Sequence, residues 1–205
     1  MRARMSLLSA EIRCELREVV LRDKPAEMIA ITTKATVPVM QLPDGTVIDE
    51  SLDIMRWALK QNDPEHWLAP DSAPLDNAIA LIDQTEVQFK PNLDRYKYPD
   101  RYPGTDPEAH RTAACEFLAL LEARLNAAPC LFGDSACIAD MAIFPFIRQF
   151  ANTDNSWFDA TPFTQTQKWL TGLISGSHFV NAMKKYAQWR SGDKAVVFPL
   201  EGKRF

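Results

Sequence analysis

At 205 residues the chain can form one large domain or two small ones, and 46% hydrophobic with 24% charged residues is an ordinary globular composition. A net charge of −4 provides no basic field for nucleic acid, and Glu11, Arg13 and Glu15 arrive before any adequate apolar core of a secretory signal. The longest strongly apolar run, Met141 to Ile147, is too short to span a bilayer. Cys14, Cys115, Cys130 and Cys137 form no Cys-x-x-Cys pair and no metal spacing, so reduced thiols in a cytoplasmic protein without a metal are expected.

Met1, Met5 and Leu8 recur at helical spacing and predict an uncapped helix over residues 1–11. Cys14 to Leu21, with β-branched Val19 and Val20, reads as a strand, and Lys24-Pro25 opens a short helix through Met28, Ile29 and Ile31. Thr36 and Val37 precede Pro38, whose ring pushes the residue before it toward extended geometry. Pro38 has no N–H for a ladder, so it should enter the strand Val39 to Leu42 rather than sit inside it. Asp44-Gly45 is a strong hairpin signal, and Thr46 to Ile48 is the return strand.

Asp49, Glu50 and Ser51 follow at once, where a helix begins that carries Leu52, Ile54, Met55, Ala58 and Leu59 and runs to Gln61. Glu50 and Ser51 therefore stand beside the free N–H groups of a positive helix end, a place to hold an anion. A capped helix after a tight hairpin, with no ligand, is the plainer reading of the same residues.

Residues 62–73 read as a linker with one apolar anchor, Trp67-Leu68. Helices are predicted from Leu75 to Asp94, Pro107 to Ala127, Cys137 to Phe150 and Phe163 to Gly176, with a last one marked by Phe179, Met183 and Tyr186. Arg95 to Pro103 is an aromatic and basic breaker holding Tyr96, Tyr98 and Tyr102. Phe198-Pro199-Leu200 is expected to fold back over the bundle. His66, His110 and His178 lie in three separate segments without ligand spacing. The chain thus reads as an α+β N-terminal domain over 1–61, the linker, and an all-helical domain over 74–205.

Val37-Pro38-Val39, the hairpin, and Glu50-Ser51 opening a helix resemble the glutathione-binding half of the glutathione S-transferase family. The resemblance implies a thioredoxin-like domain followed by a helical one, glutathione as co-substrate, a cis Val37–Pro38 bond, and a role in detoxification. It implies that the Val37 main chain pairs with the cysteinyl part of glutathione, while Ser51 holds the γ-glutamyl carboxylate and Glu50 its ammonium. Arg22-Asp23-Lys24-Pro25 is similar to a segment of the cysteine-type, omega-like branch in which a lysine approaches the glycine carboxylate, assigning that contact to Lys24. Tyr96, Tyr98 and Tyr102 are the candidates for the second-substrate pocket, or else an amphipathic helix end at a polar surface. Gly133 through Asp140 looks like the family's helix-capping segment, with Asp140 in a structural role. A homodimer is compatible with the resemblance.

The same comparison leaves the first strand of the thioredoxin pattern, and the Cys-Pro-x-x segment that carries the catalytic residue, ahead of Met1. On that reading Cys14 to Leu21 lacks its central neighbour and its backbone groups go unpaired. No catalytic residue is identifiable within the chain, and Cys14 reads as a structural thiol. Three activities stay open: transfer or reduction through glutathione, a catalytically silent binding module, and a glutaredoxin-like thiol–disulfide oxidoreductase.

Overall fold

The computed structural model describes residues 1–199. In chain order the elements are α1 (Arg2–Ser9), β1 (Cys14–Glu15), α2 (Ala26–Ile31), β2 (Met40–Gln41), β3 (Val47–Ile48), α3 (Ser51–Gln61), α4 (Leu75–Gln84), α5 (Lys90–Lys97), α6 (Pro107–Ala127), α7 (Ile138–Ala151), α8 (Asn155–Asp159), α9 (Thr164–Ser175), α10 (Ser177–Ala182) and β4 (Val197–Phe198). Met1–Glu65 and the described residues from Ser177 onward form one compact unit; His66–Gly176 forms the other. The sequence pattern predicts one helical domain over 74–205, whereas α10 and β4 group with the N-terminal unit.

The first unit is built on α1, which packs against α3 and α10. Met5, Leu7 and Leu8 are buried, and so are Ile54, Met55, Ala58 and Leu59 on one face of α3. Each of the leucine, isoleucine and methionine side chains among them contributes about 1.5–3 kcal/mol when fully removed from water. That face recurs at helical spacing, which is why α3 spans Ser51–Gln61, the range its pattern predicts.

The strand expected over Cys14–Leu21 shortens to Cys14–Glu15, and it does have a neighbour. β4 pairs with it antiparallel, Cys14 opposite Phe198 and Glu15 opposite Val197. Beyond the ladder the Leu16 amide donates to the Val196 carbonyl (2.7 Å), and the Trp189 amide to the Glu18 carbonyl (2.9 Å). The tail therefore supplies backbone partners to this segment: the Leu16–Val196 bond continues the register of the ladder, and the Trp189–Glu18 bond falls outside it. Phe198 lies against β1 rather than over the helical bundle as expected, and Leu200 of that expectation lies outside the described residues.

Arg4 ties these pieces together. Its guanidinium donates to Glu18 (2.5 Å) and to the carbonyls of Ala182 and Lys184 (3.3 Å each), and it stands 5.3 Å and 5.9 Å from the ring centroids of Tyr186 and Phe198. A planar fork of donors suits such a junction of carboxylate, helix-end carbonyls and ring faces.

In the second unit, α5 packs on α6 and α7, α6 on α9, and α4 on α7. The single helix expected over Leu75–Asp94 is α4 and α5 joined by a π-turn at Thr85–Phe89, and it runs on to Lys97. Pro91, which has no N–H and whose ring crowds the carbonyl four residues back, is the second residue of α5, just past that wider turn. Phe89 packs on Phe117 and Phe150 with centroids 5.4 Å apart in both pairs. Trp67, the predicted anchor of the linker, is buried in this unit, and its carbonyl accepts the first amide of α7, Ile138, at 2.9 Å. Among the described residues no helix is long and apolar enough to cross a membrane.

Candidate functional site

Two short loops of the first unit converge on the N-terminus of α3. The hairpin closes as Leu42 N–H donates to Thr46 (2.8 Å), the Asp44 carboxylate accepts the Thr46 amide (2.9 Å), and Gly45 takes φ 88°, a conformation glycine adopts without a Cβ clash. That amide holds the Asp44 carboxyl below the usual range. The return strand then delivers Asp49, Glu50 and Ser51 to the start of α3. Glu50 is the N-cap residue but makes no side-chain capping bond, and Ser51 is the first helical residue, half-buried. The first amides of a helix have no partner within it, so Glu50 contributes a carboxylate, and Ser51 a hydroxyl and an N–H, at a positive helix end.

The second loop runs from the end of α2 to β2. In it the Val37–Pro38 bond is cis, and Val37 is 43% exposed just before β2. Thr32 donates through its hydroxyl to Asp49 (3.3 Å), and the Lys34 ammonium reaches Glu50 (2.7 Å) and Asp49 (3.4 Å). The bond to Glu50, with Asp49 adding to it, pushes the Lys34 ammonium up from its ordinary value. Thr32 and Lys34 were not singled out from the sequence, and Asp49 was named there only as the residue leading into the helix. Lys34 precedes Glu50 by two strands and a turn, so no local spacing pairs them. Lys24 stands half-buried just before Pro25, the N-cap of α2.

The remaining expected positions lie elsewhere. Tyr96 is 8% exposed, with its ring 5.2 Å from that of Phe150 and the Arg111 guanidinium 5.8 Å away. Tyr98 carries Arg101 (4.3 Å) and Lys97 (5.1 Å) over its ring, and Tyr102 carries Arg95 (5.1 Å). All three tyrosines belong to the second unit. Asp140 is fully buried; it accepts from the amides of Leu131 and Cys137 (2.9 Å each) and from the Trp169 indole (2.8 Å). Burial pushes its carboxyl up, while those N–H donors pull the other way.

The thiols of Cys14 and Cys115 are raised by burial, and those of Cys130 and Cys137 are pushed up to about 12 by burial and the nearby Asp140. Among the described residues no group of three or more His, Cys, Asp or Glu is arranged to hold a metal ion.

A family model described as glutathione S-transferase, N-terminal domain, matches residues 1–67. Glutathione S-transferase omega-1 of Rattus norvegicus is 28% identical over 200 residues, 93% of this chain and 79% of that protein. Both findings support a member of the glutathione S-transferase family. Solved structures fit the same assignment at the level of fold. A glutathione transferase family member from Pseudomonas fluorescens, solved with two glutathione bound, superposes with a TM-score of 0.74 at 17% identity, covering 88% of this chain and 86% of that one. Poplar glutathione transferase F1 gives 0.73 at 16% identity, covering 88% and 89%. The architecture is thus a thioredoxin-like domain followed in sequence by a helical domain, as this family has it.

Proposed function

We propose that this chain is a glutathione S-transferase that binds glutathione at the start of α3 and transfers it to, or uses it to reduce, a small electrophile or mixed disulfide, in the manner of the omega-like, cysteine-type branch. In this reading Ser51 and the first amides of α3 receive the γ-glutamyl carboxylate, and Glu50 receives its ammonium. The Val37 main chain, held by Pro38, pairs with the cysteinyl segment, and Lys24 faces the glycine carboxylate. The observation that carries the reading is Glu50: a carboxylate at a helix mouth that is not spent on capping that helix. The similarity to rat omega-1 supports the choice of branch. Tyr98 and Tyr102 are the better candidates for the second substrate, since the Tyr96 ring is packed away on Phe150. A cytoplasmic homodimer belongs to the same reading.

One observation favours a second reading, glutathione binding without turnover. A thiol becomes a nucleophile by being lowered toward neutrality, and all four cysteines are shifted the other way. Calorimetry tests the site. Ser51→Ala is expected to weaken glutathione by about 1–3 kcal/mol, because it strips a hydrogen-bond partner from a charged group. Unchanged affinity refutes the assignment. Binding with negligible turnover of standard electrophiles selects the second reading, and robust turnover selects the first.

A further inference from the structure

The Lys34 ammonium is bonded to the very carboxylate that the proposed site offers to an ammonium. Its distance to Glu50 Oε1 is 2.7 Å, and Asp49 Oδ1 stands 3.4 Å from the same nitrogen. The Lys34 and Glu50 side chains are 50% and 58% exposed, so the pair can open without unpacking anything. Resting on the glutathione reading above, we propose that Lys34 is an internal competitor for the ligand's α-ammonium and thereby a specificity-determining residue of the site. In the free protein its primary ammonium neutralises Glu50 as the γ-glutamyl ammonium would. Both are N–H donors of unit charge without acceptor capacity, so they repel one another at a shared carboxylate.

Displacement costs little because a second acceptor is already in reach. Asp49 is held by the Thr32 hydroxyl at 3.3 Å on its other oxygen, which leaves the oxygen facing Lys34 in place when Glu50 is taken. A ligand with a free α-ammonium therefore binds against the difference between two lysine contacts. A ligand without that ammonium gains nothing by displacing Lys34. The arrangement narrows the preference for an N-terminal ammonium relative to a site with Glu50 alone.

The test is calorimetric titration of wild type, Lys34→Met, Ser51→Ala and the double variant Lys34→Met/Glu50→Gln. The ligands are glutathione and its deaminated analogue, glutaryl-cysteinyl-glycine. Removing a competing exposed ion pair is expected to tighten glutathione about two- to fivefold in Lys34→Met, leave the analogue unchanged, and give no such gain in the double variant. Equal weakening of both ligands would place Lys34 on a ligand carboxylate instead, and an unchanged glutathione affinity would mean that no competition exists; either overturns the proposal. Ser51→Ala separates the two levels. Loss of affinity there with no gain in Lys34→Met sinks the competition alone. Glutathione binding that is absent, or indifferent to Ser51→Ala, sinks the site and the competition together.

Discussion

Replacing Phe198 with alanine tests the claim that the tail strand completes the N-terminal unit. Phe198 is 2% exposed, pairs with Cys14 across the ladder, and lies 6.4 Å from the Tyr186 ring and 5.9 Å from the Arg4 guanidinium. Truncating a buried phenylalanine costs about 3–5 kcal/mol, and a two-residue strand that can partly collapse belongs at the lower end. Against a domain stability of about 5–15 kcal/mol, some 3 kcal/mol is large. Urea unfolding measures the loss, and site-resolved alkylation of Cys14 reports where it falls. The Cys14 thiol is held up by burial, so it should label slowly in the wild type and roughly 100-fold faster once opening is eased by about 3 kcal/mol. Val197→Ala, at a position 38% exposed, is the control and should cost under about 1 kcal/mol. A Phe198→Ala protein that loses less than the control, with Cys14 labelling unchanged, would refute the argument.

Asp140→Ala should destabilise the second unit by about 3 kcal/mol or more in thermal or urea unfolding, since it leaves the Leu131 and Cys137 amides and the Trp169 indole unanswered in the interior; Asp140→Asn, which keeps one carbonyl acceptor, should cost less. Glu122 accepts from the amides of Gln165 (2.9 Å) and Thr166 (2.8 Å) at the start of α9. Burial pushes its carboxyl up, but those donors outweigh it and the net shift is downward from 4.5. A lowered carboxylate contributes stability above its unfolded value that is lost as pH falls through the folded one. Wild type should therefore lose more stability than Glu122→Gln between about pH 5 and pH 3 in acid titrations followed by circular dichroism. Cys130 and Cys137, both pushed up to about 12, should resist iodoacetamide at mildly alkaline pH in the native protein and react fully in denaturant, as read by mass spectrometry.

The helices with a clean apolar face were legible in the sequence: α3, α6 and α9 carry a 3.6-residue pattern bounded by turn residues, and they fall where that pattern predicts them. α8 was missed because five residues give too short a window for periodicity, although its Asp154 cap, accepting the Trp157 amide at 3.0 Å, is written in the chain. β4 could not be read at all. Val196-Val197-Phe198 looks like any short apolar run, and its partner lies at the opposite end of the described chain. The proposed site shows the same division. Glu50 and Ser51 are announced by the hairpin before them, and Val37 by the proline after it. The Lys34 contact is made only by the fold, because an ion pair between loops leaves no spacing to read.

The pairing of β1 with β4 also bears on how the molecule is made. Ribosomes deliver residues in order, so the segment around Cys14 leaves the exit tunnel long before Val197 and Phe198 exist. The N-terminal unit cannot take the form described here until Val197 and Phe198 have emerged, and β1 waits until then for this partner. Contacts so distant along the chain slow folding and lengthen the interval in which an unsatisfied edge can meet another polypeptide.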